Sequence, residues 1–442
     1  MMQPKPCRRF WWSWGMSEWI ESALADLAVI VSGGTPSREV KAYWGGETPW
    51  VTPTDITACT TNYLETSEDT ITKEGLLNSS AKLLPAGSIL VTSRASIGLS
   101  KITRVPVATN QGFKSLIPKP DVDAIFLFYQ TQRLRGTFEK FAAGSTFLEI
   151  NKKDTERIPF PHPTSIKEQR KISVILTAMD AAIEKTEALI VKYQQIKAGL
   201  MHDLFTRGIL PNGKLRPPRS EAPELYQETL IGWFPSEWKF ARCADICSRI
   251  CVGIVIQPTQ YYVEDGVPAF RSANIREVGI DSDNLVFISP ISNKLLAKSQ
   301  VRTGDIVSVR TGYPGTSAVV PPEFTGANCI DILISTPSTL VDPQYLCDWI
   351  NSSFGKWQVL RQQGGMAQQH FNVGEMRELL VALPHLDEQK KIRSRIKAIS
   401  DKLVVEQAIA KKLLAQKRGL MQDLLTGKVP VKVEEPNTEV TA

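Results

Sequence analysis

Two stretches of this chain carry apolar residues at the three- and four-residue steps of an α-helix. Ile172, Ile175, Met179, Ile183, Ile190, Tyr193, Leu200 and Leu204 form one stripe, and Ile392, Ile396, Ile399, Leu403, Leu413, Leu420 and Leu424 form the other. The spacing predicts long helices from about Ile166 to Phe205 and from about Leu386 to Leu425. Roughly 40 residues at about 1.5 Å each make a rod on the order of 60 Å. One core rarely needs so long a helix, so the stripes are expected to cover each other as an antiparallel coiled coil. Ile172 would then lie near Leu420 and Leu424, and Ile392 near Leu200 and Leu204. Two helices resting on separate domain cores is the plainer alternative.

The regions ahead of the helices follow a shorter rhythm. Apolar, β-branched runs such as Ser88-Ile89-Leu90-Val91 and Asp305-Ile306-Val307-Ser308-Val309 are bounded by glycine and proline, as strands are. Each region reads as a mixed α/β (α+β) domain with many short strands. Pro159-Phe160-Pro161-His162-Pro163 and Leu383-Pro384-His385 punctuate the chain before each helix.

The two halves are copies. Glu168-Gln169-Arg170-Lys171-Ile172 leads to Gly199-Leu200-Met201-His202-Asp203-Leu204. At an offset of 220 positions, Glu388-Gln389-Lys390-Lys391-Ile392 leads to Gly419-Leu420-Met421-Gln422-Asp423-Leu424. The globular regions echo each other more faintly: Ser17-Glu18-Trp19 answers Ser236-Glu237-Trp238, and Gly87-Ser88-Ile89-Leu90 answers Gly304-Asp305-Ile306-Val307. The expected organisation is a first domain over 16–164, a central long helix over 165–207 and a linker over 208–231. A second domain over 232–384 and a distal long helix over 385–427 follow. The linker is expected to be extended, given its proline and glycine content, and residues 428–442 to be disordered. Residues 1–15 read as a disordered or artefactual extension ahead of a start near Met16, with a tryptophan-rich partner-binding tail as the sharper reading.

Composition narrows this only slightly. A length of 442 residues exceeds what one core usually holds, and 42% apolar with 22% charged residues is ordinary for a soluble globular chain. There is no uncharged apolar run of membrane-spanning length and no secretory signal pattern. Seven cysteines suit a reducing cytoplasm, and a charge of +6 is compatible with a polyanionic partner.

Catalytic chemistry finds little support. Gly208-x-x-x-x-Gly213-Lys214 resembles a phosphate loop, but Leu215 stands where serine or threonine is required, and a helix rather than a strand precedes it. Cys243, Cys247 and Cys251 are spaced along one helical face, yet their counterparts are Leu24, Ala28 and Ser32, which favours packing over metal. His162, His202, His370 and His385 are scattered. Glu237-Trp238-Lys239 fits a nuclease fragment, whereas its counterpart Glu18-Trp19-Ile20 does not. No Asn/Asp-Pro-Pro-aromatic run and no cofactor-binding glycine turn follows a strand. No catalytic residue, metal or cofactor is therefore expected.

Base-reading chemistry is the stronger candidate. Thr52, Thr54, Arg94, Ser96, Lys101, Asn110 and Gln111 in the first domain read as loop residues, as do Arg271, Ser272, Asn274, Arg310, Tyr313, Asn328, Gln368 and Gln369 in the second. Arginine suits guanine edges, asparagine and glutamine suit adenine, and lysine and serine mainly position phosphates. The second helix is also lysine- and arginine-rich over Lys390, Lys391, Arg393, Arg395 and Lys397, which reads equally as a solvated face.

With these motifs in hand, the chain resembles the specificity subunits of type I restriction–modification systems over nearly all of 16–427. Pro161-His162-Pro163 with Glu168-Gln169-Arg170-Lys171-Ile172, and Leu383-Pro384-His385-Leu386 with Glu388-Gln389-Lys390-Lys391-Ile392, carry the resemblance. His162 and Thr164 interrupt the family's usual Pro-Pro-Leu run. The resemblance implies two target-recognition domains reading the halves of a bipartite, asymmetric double-stranded DNA site. The paired helices would set the spacing and dock two methyltransferase subunits, with Glu168, Gln169, Arg170, Lys171, Glu388, Gln389, Lys390 and Lys391 on the docking surface. The methyltransferase partners would supply S-adenosylmethionine chemistry, and motor-nuclease subunits would join for cleavage. A non-catalytic scaffold with two repeated domains, or a stand-alone methyltransferase lacking its motifs, are the rival readings.

Overall fold

The computed structural model describes residues 18–143, 148–361 and 370–433. The expected N-terminal extension, Gln368, Gln369 and most of the expected disordered tail lie outside them. The chain divides into two units: Met1–Lys185 with Ala410–Ala442, and Thr186–Ile409. Both are mixed α/β, and the helices Ile166–Thr206 and Leu386–Leu424 each begin in one unit and end in the other.

In unit 1 the strand Ile89–Val91 is apolar throughout because both of its faces are covered. Ile89 and Val91 face one core, which includes Leu116, Phe126, Phe138 and Phe160, while Leu90 faces a second with Val51, Ile56 and Phe113. The strand sits centrally in a five-stranded sheet ordered Ala28–Ser32, Lys114–Pro118, Ile89–Val91, Ser100–Thr103 and Tyr63–Leu64. A three-stranded sheet carries Asp69–Ile71, Trp44–Val51 and Ala108–Thr109, the last pair parallel. Trp19–Ala23 pairs antiparallel with Pro159–Pro163. Prolines at every second position lack their N–H on the same edge, which a two-stranded sheet tolerates.

Unit 2 repeats this plan. The strand Ile306–Val309 divides its side chains in the same way, Ile306 facing the core of Phe234 and Trp349, and Val307 and Val309 facing that of Phe270 and Ile334. Its sheet runs Cys247–Val252, Ile332–Pro337, Ile306–Val309 and Ser317–Val319, and a second sheet pairs Val267–Phe270 in parallel with Asn328–Cys329. Lys239–Arg242 pairs with Leu380–Leu383 as the outer ribbon does in unit 1. The segment 208–231, expected as an extended connection, is folded: Ile209 is buried, Arg216 is buried, and Tyr226–Thr229 forms a hairpin with Gly232–Pro235.

Each unit also gathers the start of one long helix and the end of the other. Ile172 and Leu176 share the unit 1 core with Leu424 and Leu425, and Ile392 and Ile396 share the unit 2 core with Met201, Leu204 and Phe205. Gly427 and Gly208 stop the helix ends in the left-handed region, at φ of 70° and 64°.

Candidate nucleic-acid interface

In unit 1 the two sheets bring several expected contact residues onto adjoining turns. Trp44–Val51 runs into Thr52, which caps the short helix Pro53–Ala58; the Asp55 carboxylate accepts from the Thr52 amide and hydroxyl, both at 2.7 Å. Parallel pairing of Val51 with Thr109 sets Asn110 alongside, its amide donating to the Val51 carbonyl at 3.0 Å. The Gly112 amide donates to Asn110 Oδ1 at 2.9 Å, and the Gly112 carbonyl accepts from the Ser93 amide at 2.7 Å. Arg94 pairs with Glu149 at 2.9 Å, and the buried Lys114 lies 3.7 Å from the same carboxylate. Burial pushes the Lys114 ammonium pKa down, against the opposing pull of Glu149. Thr54, Arg94 and Gln111 are exposed on this cluster, and Ser96 is half-buried. Lys101 instead braces the chain from within, its ammonium donating to the carbonyls of Cys59, at 2.8 Å, and Thr61.

Unit 2 builds the equivalent cluster with different side chains. Val267–Phe270 runs into Arg271 and the turn Ser272–Asn274. The Asn274 side chain accepts from the Arg271 amide at 3.0 Å and donates to the carbonyls of Asp281 and Asp283; Arg271 Nη2 donates to the Asn284 carbonyl at 2.7 Å. The Asp331 amide donates to the Ile254 carbonyl at 3.0 Å, and its carboxylate pairs with Arg310. Thr311 and His370 meet at 3.2 Å. Tyr313 is 83% exposed, whereas Asn274 and Asn328 are buried. Asn328 Nδ2 donates to Asn293 Oδ1 at 2.7 Å, so both asparagines brace the turns from inside.

Among the described residues, the non-glycine positions with positive φ are Ala95, Gln257, Asn284 and Asp331. Ala95, Asn284 and Asp331 lie on these turns, and Gln257 caps the short helix Pro258–Tyr261. Such backbone costs on the order of 1–3 kcal/mol per residue and gathers where a turn must present its side chains in a fixed way. Asp331 and Glu149 are cluster members that sequence reasoning passed over, because their partners Arg310 and Arg94 are distant along the chain.

The Glu-Gln pairs have internal duties. Gln169 accepts from the Asp123 amide at 2.9 Å and donates to the Pro163 carbonyl at 3.1 Å. Gln389 does the same with the Asp342 amide and the Pro384 carbonyl, both at 2.9 Å. Glu388 accepts from the Ile209 amide at 2.7 Å and the Trp238 indole at 3.3 Å, and it pairs with the buried Arg216. Glu168 is buried and hydrogen-bonded by Trp19; burial raises its pKa. Arg170, Lys171, Lys390 and Lys391 are exposed.

The remaining motifs show no reactive geometry. Cys243 and Cys251 are buried, with Cys243 raised well above the usual thiol range by its hydrogen bond with Cys247 and by burial. Among the described residues no cluster of His, Cys, Asp and Glu could hold a metal, and no helix is long and apolar enough to cross a membrane. After Gly208 the chain makes a tight turn, with the Leu210 amide donating to the Lys214 carbonyl at 2.8 Å, and no helix opens there to cradle a phosphate.

Residues 16–193 match the family model of the type I restriction modification DNA specificity domain. The chain is 25% identical over 420 residues to the type I restriction enzyme MjaIX specificity subunit of Methanocaldococcus jannaschii, covering 94% of each chain. Two solved structures share the fold at 15% identity. The S subunit of a type I system from M. genitalium gives a TM-score of 0.57 over 93% of this chain and 96% of that one. A chain solved in work on complex assembly and conformational transition of the type I system gives 0.53 over 93% and 98%. The matched domain, the repeated Glu-Gln helices and a relative spanning nearly all of both chains make this chain similar to the specificity subunits of type I restriction–modification systems.

Proposed function

We propose that this chain tells partner enzymes where on double-stranded DNA to act, each unit reading one half of a bipartite, asymmetric site. The observation that carries this reading is the matched pair of strained turn clusters, with Arg94, Gln111 and Thr54 exposed on one and Tyr313 on the other. Thr52, Ser96 and Asn110, and in unit 2 Arg271, Ser272, Arg310, Gln368 and Gln369, complete the proposed contacts. Arginine and amide side chains carry base discrimination, while hydroxyl groups position phosphates. Lys101, Asn274 and Asn328 contribute by holding the turns.

The long helices pair as an antiparallel coiled coil and act as a ruler for half-site spacing. The shared cores of Ile172 with Leu424 and of Ile392 with Leu204 support this. Two methyltransferase subunits dock along the helices, meeting the exposed Arg170, Lys171, Lys390 and Lys391, while Glu168, Gln169, Glu388 and Gln389 shape that surface from beneath. The partners bring S-adenosylmethionine, and motor-nuclease subunits complete the assembly in the cytoplasm.

Coexpression with a methyltransferase subunit, followed by mapping of methylated adenines, tests this. One bipartite sequence is expected, and exchange of residues 16–164 for another recognition domain should alter one half only. Methylation without sequence preference, or changes in both halves, would overturn the reading.

A further inference from the structure

The loop 33–38 belongs to the unit 1 cluster. The Gly34 amide donates to the Thr109 carbonyl at 2.9 Å, and the Thr35 hydroxyl donates to Gln111 Oε1. Two indoles pin its backbone: Trp50 Nε1 donates to the Gly34 carbonyl and Trp44 Nε1 to the Ser37 carbonyl, each at 2.9 Å. The rings stand edge to face with centroids 5.0 Å apart. Arg38 lies over them, its guanidinium carbon 3.7 Å from the Trp44 centroid and 5.1 Å from that of Trp50. Asp69 pairs with Nη2, and the side chain is still 56% exposed. A free arginine gives up much rotamer freedom to make a fixed contact; here the stack, the ion pair and the pinned backbone have set its orientation beforehand.

We propose that Arg38 is a specificity-determining residue that donates to O6 and N7 of one guanine in the half-site read by unit 1. The inference rests on the DNA-reading function above. A planar fork matches those two acceptors. A phosphate needs only positive charge and is repelled by a neighbouring carboxylate, so Asp69 beside the guanidinium favours a base edge. The corresponding loop of unit 2 is anchored in the same way, by the Ile254 amide on the Cys329 carbonyl at 2.7 Å, but carries Val255 and the exposed Ile256. The effect therefore belongs to one half-site.

The test uses the full chain assembled with its methyltransferase subunits and a duplex carrying the methylated sequence mapped for that complex. Each guanine of the unit 1 half-site is replaced in turn by 7-deazaguanine, which lacks N7. One replacement should weaken wild-type binding about ten-fold or more, and R38A should be indifferent both to it and to the base pair at that position. R38K, which keeps the charge without the fork, should resemble R38A. Should R38A fail to fold, D69N replaces it and should lower discrimination at the same guanine alone. Several results would overturn the assignment: R38K or D69N discriminating like wild type, no guanine sensitive to the replacement, or a half-site without a G·C pair. Uniform weakening by R38A with a shallower salt dependence, the mark of a phosphate contact, would do the same. A complex that methylates no defined sequence would instead strike the DNA-reading function itself.

Discussion

The Lys417 ammonium lies 2.6 Å from the Asp180 carboxylate, inside unit 1. Asp180 also accepts from Asn62 Nδ2 at 2.6 Å and from the Tyr129 hydroxyl, and Lys417 lies over the Tyr129 ring. A polar cluster within an apolar seam tolerates one helix register, because a slip of one turn leaves charges buried and unpaired. Replacing Lys417 by methionine should lower stability by about 3 kcal/mol, and adding Asp180→Leu should recover much of it. Chemical denaturation of the single and double variants checks this; equal losses in both would contradict it.

Two glycines of the central helix and its end should respond in opposite senses to alanine. At Gly208 an added Cβ would run into Trp238 Cζ2 and Glu388 Oε1, on a backbone at φ of 64°. G208A should cost about 1–3 kcal/mol. Gly199 has no heavy atom within 4 Å of such a Cβ, and G199A should stabilise by about 0.5–1 kcal/mol. Thermal unfolding of the two variants distinguishes them, and a shift of the same sign in both would be inconsistent with this geometry.

Burial pushes the Asp348 carboxyl up to about 6, against the opposing effects of its Gln344 hydrogen bond and the Lys197 charge. Its unfolded value is near 4, so the folded state holds this proton more tightly. Its contribution to stability is therefore fully present below about pH 4 and is lost as pH rises through about 6. D348N removes the titration. It should match wild type at pH 4 and exceed it at pH 7 by on the order of 2–3 kcal/mol. Denaturation at the two pH values measures the difference, which should not be constant.

Exposed cluster residues should separate recognition from folding. Y313A and R94A are expected to shift stability by less than about 0.5 kcal/mol, since neither leaves a buried partner. Each should relax base preference in one half-site, Arg94 in that of unit 1 and Tyr313 in that of unit 2. Methylome mapping with each variant complex reads this out, and unchanged motifs would remove these residues from the interface.

Periodicity made the long helices legible, and the duplicated Glu-Gln runs marked their starts, because both copies must solve the same packing problem. The roles of Gln169 and Gln389 were hidden, since the amides they cap belong to helices 46 and 47 residues away in sequence. Asn328 looked like a loop amide until parallel pairing with Ala269 put it inside. Arg38 carried no sequence signal: its meaning comes from Trp44, Trp50 and Asp69, which only the three-stranded sheet assembles. The prolines and glycine of 208–231 suggested an open tether, whereas Arg216 draws that segment onto Glu237 and Glu388.

Unit 2 is a continuous stretch, Thr186–Ile409, while unit 1 needs residues from Ala410 onward. Leu424 and Leu425 complete a core that Leu24 and Leu27 begin. On the ribosome, the first domain to emerge is thus the last to close. At about 5–20 residues per second, the intervening residues occupy the ribosome for on the order of ten to forty seconds, during which unit 1 lacks one wall of its core. The domain synthesised second can finish first, and the nascent first domain spends that interval as a natural client for chaperones.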